Sequence, residues 1–513
     1  MTTAMMGILI TMGVYLFGMI IVGAMFSKNE TAGDFYLGGR KLGPFVTAMS
    51  AEASDMSSWL LMGLPGVAYL SGVCDAAWTA IGLAIGTYIN WLIVAKRIRI
   101  YTYKANNSIT IPDFFTNRYR DQDKKKLLML ISAIIIIIFF IPYAASGFSA
   151  CGKLFASLFG VNYQLAMVVS AVVIVLYTCL GGFSAASTTD FIQSIVMSVA
   201  LIIVVVFGVN VAGGMDAVIA NANELPGYLS LTAIHDAATG AQTKYGFITI
   251  VSTMAWGLGY FGMPHILLRF MAIEDEKKLP MARRVGSIWV VISMAVAIFI
   301  GVVGYSVSKA GAVAMLEGSA SETIIVEIAN LLSKNGIVFA IMAGVILAGI
   351  LASTMSTADS QLLAASSSVS QNILKGFFNI NLTEKMTVLA ARICLVVIAV
   401  IGIFLASDPN SSVFGIVSFA WAGFGAAFGP VVLTALFWKR SNMYGALAGM
   451  VVGGTTVFVW KYMVRPLGGA WNIYELLPAF LLALAAIIIV SLLTPAPSKE
   501  IQDEFDEVKA ICK

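Results

Sequence analysis

The chain has 513 residues, of which 59% are hydrophobic and only 11% charged, with a net charge of +4. Soluble domains carry about 25% charged residues, so a multi-pass membrane bundle accounts for this composition better than a string of soluble domains. The small net charge gives no support to nucleic-acid binding. Five scattered cysteines (Cys74, Cys151, Cys179, Cys394, Cys512), with no CxxC pair, indicate neither a disulfide framework nor a zinc site.

Apolar runs long enough to cross a bilayer begin almost at Met1. The first, near 6–26, has no basic lead and no A-x-A site, and reads as a retained helix. Others lie near 43–68, 75–95, 127–152, 164–182, 190–211, 245–266, 285–308, 336–361, 387–406, 413–437, 444–464 and 475–494, about thirteen in all. An odd count puts the termini on opposite sides. Most of the 31 Lys and Arg residues follow odd-numbered runs: Lys28, Arg40, Lys41, the set from Lys96 to Lys126, Arg269 to Arg284, Lys439, Arg440 and the tail lysines. The positive-inside rule then places the N-terminus outside and the C-terminus in the cytoplasm.

The basic segment 96–126, with Asn106, Asn107 and Pro112, is expected to be a solvated anchor near anionic headgroups. Segment 212–244 is Gly/Asn-rich and reads as an external cap or loop. The stretch 309–335, around Glu317, Glu322 and Glu327, predicts an external amphipathic helix. The tail 495–513 is short and charged, and suggests no catalytic or signalling domain.

Within the second run, Ser50 to Gly66 reads SAEASDMSSWLLMGLPG. Acids at membrane depth (Glu52, Asp55) are expensive and mark function by default. With Ser50, Ser54, Ser57 and Ser58, and a Gly-Leu-Pro-Gly break expected at Gly63 to Gly66, they offer hard oxygen ligands for a small cation. The seventh run has a second interruption, Trp256-Gly-Leu-Gly-Tyr260-Phe-Gly-Met-Pro264-His265. Paired interrupted helices point to a transporter site between inverted repeats. The expected division is a peripheral helix and loop (1–42), a first repeat (43–211), an external loop (212–244), a second repeat (245–437), peripheral spans (438–494) and a cytoplasmic tail (495–513).

The ninth run ends Ala352-Ser-Thr-Met-Ser-Thr-Ala-Asp-Ser360. Any one hydroxyl there is explained by back-bonding to the preceding turn or by helix contacts. The density of hydroxyls suggests more: Ser356 and Thr357 completing an oxygen shell for sodium. Asp55 reads either as a cap on a half-helix or as negative charge on the sodium route. Glu52 reads as a neutral cavity residue or a direct participant. Asp190, after Ser187-Thr-Thr, reads as a helix cap or as a cation exit or second cation site. Tyr143, beside Pro142, joins Trp256, Tyr260 and Pro264 as an aromatic pocket for a small solute, against the plainer reading of each as packing. No intramembrane arginine stands near the breaks to hold a substrate carboxylate, so half-helix N–H groups are the expected partners. The chain has two histidines and no P-loop, G-x-S-x-G or H-E-x-x-H motif, so neither an enzyme nor a nucleotide-driven pump is indicated.

Gly38-Gly-Arg-Lys-Leu-Gly-Pro-Phe-Val-Thr-Ala, Ser54-Asp-Met-Ser57, Leu60-Leu-Met-Gly-Leu-Pro-Gly66, the Trp256 to His265 stretch, Met355-Ser-Thr357 and Trp421-Ala-Gly-Phe-Gly-Ala-Ala-Phe-Gly-Pro430 together resemble the sodium/solute symporter family, and within it the bacterial proline carriers. The resemblance spans about residues 10 to 495. It implies an all-α LeuT-type fold of about thirteen membrane helices, worked by alternating access, and sodium-coupled uptake of L-proline. It implies sodium held by the carbonyls of Ala53, Met56 and Ser353 and the hydroxyls of Ser356 and Thr357. By the same resemblance Asp55 and Ser57 couple sodium to substrate, and Tyr143, Trp256, Tyr260 and Pro264 surround proline. Asp190 matches an aspartate linked to a further cation site or release path. Glu52 and Asp359 depart from the family pattern, which leaves proton coupling open. The competing readings are the same machine for pantothenate or another small carboxylate, and an uncoupled channel or receptor. Beyond sodium, proline and the bilayer, no obligatory partner is expected.

Overall fold

The computed structural model describes residues 3–28, 30–121 and 126–512. Lys124, Lys125 and Lys513, counted above in the cytoplasmic charge, lie outside them. Among the described residues the fold is helical, apart from an antiparallel hairpin that pairs Ala233–His235 with Gln242–Lys244 and an isolated bridge between Leu42 and Ile273. Ten helices among the described residues are long and apolar enough to cross a membrane. Burial orders them. The most apolar window of the first, Ala4–Met25, is 22% buried, against 67% for Ile337–Phe377 and 83% for Val413–Phe437. The first therefore presents its side chains outward and the latter two form the centre.

One of the ten, Tyr163–Val211, has 49 residues, which at 1.5 Å per residue far exceeds a bilayer core of about 30 Å. It bends at Gly182, whose backbone leaves helical geometry at φ 60, ψ −154. A side chain there would strike Phe35, so both the turn and the close approach require glycine. Asp190 follows this bend by two turns and sits inside the helix, so its reading as a cap is corrected: no free N–H groups are there to cap.

Neither interrupted helix counts among the ten: the second is short, Phe247–Phe261 before its proline, and the first carries Glu52, Asp55 and a run of serines. The first runs Pro44–Ser58, passes through a π turn at Trp59–Gly63, and continues as Leu64–Ser71. Its break is not at Gly63 to Gly66. The backbone instead leaves helical geometry at Ser57, φ 50 and ψ −171. Pro65 is tolerated because it sits in the first turn of Leu64–Ser71, where its missing N–H is least needed. Gly66 serves packing: a Cβ there would lie 2.9 Å from the backbone nitrogen of Glu322. The left-handed Ser57 stores strain of about 1–3 kcal/mol, a cost typical of functional positions. The second interruption falls where expected. Phe247–Met254 gives way to a 3₁₀ stretch, Ala255–Phe261, and Pro264 opens Pro264–Ala272.

Outside the bundle, 212–244 contains a short helix, Met215–Asn223, before the hairpin, and 309–335 contains the expected helix at Ile324–Ser333. The basic segment is more than an anchor: it folds into Ala95–Lys104 and Ile111–Arg118. The tail forms Lys499–Ile511, which buries Ile501, Phe505 and Val508. There the Arg118 guanidinium lies 5.4 Å from the centre of the Phe505 ring. Arg120–Glu504 and Lys439–Asp506 pairs, at 2.8 and 2.5 Å, and a Lys104–Glu507 pair surround this seam. Exposed pairs contribute about 0–1 kcal/mol each, so the apolar seam carries the docking. Phe505→Ala is expected to speed amide exchange across 499–511 by at least about ten-fold, and Glu504→Lys by much less. Unchanged protection in Phe505→Ala would show that the charges hold the helix.

Candidate functional site

The site forms where the first interrupted helix meets Ile337–Ser367. Two hydroxyls of the second helix follow the plain reading: Ser353 Oγ and Thr354 Oγ1 donate back to the Ile350 carbonyl at 2.8 and 2.9 Å. Ser356 does not. Its Oγ reaches across to the Ala53 carbonyl at 2.9 Å and lies 3.2 Å from the Ser353 carbonyl. Thr357 Oγ1 is 3.2 Å from that same carbonyl. Two carbonyls and two hydroxyls thus converge, all buried and all neutral. Hydroxyl and carbonyl oxygens keep spare lone pairs, and such a set suits a hard cation of low charge. Met56 lies three residues beyond Ala53 on the same helix, and its carbonyl accepts the Trp59 N–H across the break.

The break is stabilised from within. Ser57 Oγ accepts the Trp59 N–H at 3.1 Å, so Ser57, not Asp55, caps the following half. The Asp55 carboxylate instead accepts the hydroxyl of Tyr260 in a short contact, and the Tyr143 hydroxyl lies 3.4 Å from the Asp55 carbonyl. Asp55 therefore joins the two interrupted helices, two residues before the strained Ser57.

Beside Asp55 is a small cavity of about 10 Å³, close to the minimum for one water. Asp55, Met56, Tyr143 and Trp256 line it, together with Trp59, Leu83, Val417 and Trp421. Trp421 Nε1 donates to the Trp256 carbonyl at 2.7 Å, and Trp59 and Trp256 sit 5.8 Å apart. Tyr260 stands behind this wall, edge-on to Trp421 at 5.1 Å. Pro264 is set apart from the lining and starts its half-helix. The cavity as it stands is too small for an amino acid, so the aromatic walls must separate to admit one.

A second polar group lies deeper in the bundle. Asp190 Oδ2 accepts Ser50 Oγ at 2.6 Å and pairs with Arg269 at 3.1 Å. Arg269 is 1% exposed, and also donates to Ser50 Oγ (3.0 Å), the His265 carbonyl (2.9 Å) and Ser360 Oγ (2.5 Å). An arginine does stand among the interrupted helices, contrary to the sequence reading, which assigned Arg269 to the cytoplasmic loop. Its partner is Asp190 rather than a substrate. Asp359 accepts the hydroxyls of Tyr177 (2.6 Å) and Ser360 (3.0 Å). Glu52 faces away from the cavity: its Oε1 accepts Trp91 Nε1 at 2.7 Å and Thr87 Oγ1 at 2.9 Å, which replaces the cavity-lining reading.

The missed residues share a cause. Trp59, Leu83, Val417 and Trp421 look like ordinary apolar membrane residues; only the Gly-rich surroundings of Trp421 hinted at close packing. Arg269 lies four residues past His265, within one turn of the second interrupted helix, and that spacing was the available signal.

The family model described as Sodium:solute symporter family matches residues 35–453. The sodium/proline symporter of Haemophilus influenzae is 45% identical over 510 residues, 98% of either chain, and that of Escherichia coli K12 is 42% identical, over 98% of this chain and 96% of the other. The osmoregulated proline transporter OpuE of Bacillus subtilis is 40% identical over 99% of both chains. Among solved structures, the substrate-bound outward-open state of a Na+-coupled sialic acid symporter superposes with a TM-score of 0.77 at 17% identity, over 96% of this chain and 99% of the other. That likeness speaks to the fold. The family match and the full-length relatives speak to membership: this chain is an integral membrane protein of the sodium:solute symporter family.

Proposed function

We propose that this chain is a sodium-coupled importer of L-proline in the bacterial cytoplasmic membrane. Support comes from full-length relatives named for sodium and proline, and one observation of the fold carries the coupling: Ser356 of the hydroxyl helix meets the Ala53 carbonyl of the first interrupted helix. In this reading sodium binds first, to Ala53, Met56, Ser353, Ser356 and Thr357, replacing hydroxyl hydrogen bonds with ion contacts. Because Asp55, Met56 and Ser57 lie two to four residues beyond Ala53, the ion at the seam favours one shape of the strained turn. That turn borders the cavity, so sodium raises proline affinity, and by linkage proline raises sodium affinity equally.

Proline would lie against Tyr143, Trp256 and Tyr260, its ring on the aromatic faces, with Pro264 holding the second break in place. Halves 43–211 and 245–437, of opposite orientation, would rock around this point, within about thirteen crossings that leave the N-terminus outside and the C-terminus in the cytoplasm. Asp190 would serve the cation's exit, released from Arg269 as the inner side opens.

Uptake of labelled L-proline into proteoliposomes with and without an inward sodium gradient tests the whole reading. Sodium-dependent accumulation displaced by close proline analogues supports it. Accumulation driven by a proton gradient alone would overturn the sodium assignment, and flux of a different carboxylate without proline flux would overturn the pocket. Trp256→Ala is expected to raise the KM for proline by about ten-fold or more, with sodium half-saturation within about two-fold. An unchanged KM would return Trp256 to packing.

A further inference from the structure

The last membrane helix, expected to be peripheral, reaches the cavity wall through one residue. Tyr474 stands two residues ahead of Leu476–Leu493, and its ring stacks on Trp256, with centroids 5.2 Å apart and planes at 18°. Its hydroxyl donates to the Ser418 carbonyl at 2.6 Å. Its backbone N–H donates to Ser252 Oγ, also at 2.6 Å. Both partners lie on elements that carry lining residues of the cavity. Ser252 is one turn before Trp256 in the second interrupted helix, and Ser418 follows the lining residue Val417. The neighbouring Glu475 is fully buried and pairs with Arg465 at 3.0 Å, so the segment carrying Tyr474 is itself anchored.

Trp256 needs such support. It lies in a 3₁₀ stretch, where backbone hydrogen bonds are poorer than in an α-helix, and Gly257 and Gly259 follow it. Its carbonyl is held by Trp421, which fixes the backbone and leaves the indole free to turn about its side-chain bonds. Trp59 at 5.8 Å and Phe414 at 5.5 Å touch the indole at tilted angles, and Trp421 stacks at 6.4 Å and 28°, whereas Tyr474 lies nearest and most nearly parallel among the described residues. A residue needed only to fill space requires no hydroxyl. The Tyr474 hydroxyl ties the ring to the helix that carries the lining residues Val417 and Trp421.

We infer that Tyr474 is a positioning residue for the solute, holding the Trp256 indole as one wall of the cavity, so that the last membrane helix belongs to the recognition unit. The inference rests on the reading of Trp256 as a solute contact. Without the tyrosine ring the indole swings into the space behind it, and the solute loses its flat apolar face. The sodium cluster does not involve this wall and keeps its affinity.

The test is proline uptake and sodium dependence in proteoliposomes of Tyr474→Ala, Tyr474→Leu, Tyr474→Phe, Trp256→Ala and the Tyr474→Ala/Trp256→Ala double variant, each normalised to monodisperse protein. Tyr474→Ala is expected to raise the KM for proline about ten-fold, with maximal rate and sodium half-saturation within about two-fold. Tyr474→Phe, which keeps the ring, should recover most of the affinity. In the Trp256→Ala background, removing Tyr474 should add little, since neighbours that act through one another are not additive. Should Tyr474→Ala not fold, Tyr474→Leu, of similar packing character without the flat ring, takes its place. The inference falls if Trp256→Ala raises KM while the Tyr474 variants leave it unchanged, if they lower only the maximal rate, or if the two effects add. An unchanged KM in Trp256→Ala would remove the solute-wall reading itself.

Discussion

Arg269→Ala is expected to be the most damaging single substitution in the bundle. Its guanidinium meets Asp190, Ser50, Ser360 and the His265 carbonyl, and so joins both interrupted helices to the kinked helix and the hydroxyl helix. Removing it strands the Asp190 carboxylate, which is fully buried and, among the described residues, keeps Ser50 alone as a donor. Breaking a buried pair from one side costs about 3–5 kcal/mol, because the remaining charge is uncompensated. The measurement is thermal unfolding in detergent together with proline uptake. A loss of stability of that size and of nearly all uptake is expected. Arg269→Gln combined with Asp190→Asn removes both charges at once, and should recover much of the stability but not the uptake, if the pair opens and closes during transport. A stable, active Arg269→Ala would mean that the pair contributes neither to the fold nor to the cycle.

Thr357→Ala and Ser356→Ala are expected to act on sodium ahead of solute. Each removes one of four converging neutral oxygens, and Ser356→Ala also removes the bond to Ala53. Losing one ligand should raise sodium half-saturation by about ten-fold or more, equivalent to about 1.4 kcal/mol. Since the ion and the solute are linked, the KM for proline should rise at low sodium and return toward the parent value at saturating sodium. A purely structural effect would lower the maximal rate at every sodium concentration instead. Sodium dependence identical to the parent in both variants would overturn the assignment to this helix. Ser353→Ala is the internal control: its hydroxyl back-bonds to Ile350, and only its carbonyl faces the cluster. It should change sodium half-saturation by less than about three-fold.

How much of this was legible beforehand follows from the range of each interaction. Hydropathy and glycine–proline punctuation are local properties, and they were enough for the helical class, the two interrupted helices and the hydroxyl-rich end of Ile337–Ser367. Motif identity over long stretches added the family and the residues proposed to hold sodium. Even the local signals misled where two breakers competed. Gly63-Leu-Pro-Gly66 carries the stronger signature, yet its proline falls in a first turn and its glycine answers to Glu322, while the actual break falls on a serine. Nothing in a serine announces left-handed geometry; the surrounding helices impose it.

The amino-acid sequence by itself determined that the chain is a membrane bundle, which helices unwind, and which hydroxyls and acids lie at membrane depth, because each follows from the free energy of placing a few neighbouring residues in lipid. Only the tertiary structure decided what those groups meet. Arg269 finds Asp190 79 positions away, Ser356 finds Ala53 303 positions away, and Tyr474 finds Trp256 across most of the second half of the chain. Those contacts depend on how helices pack, and packing is a property of the whole core that no single stretch contains.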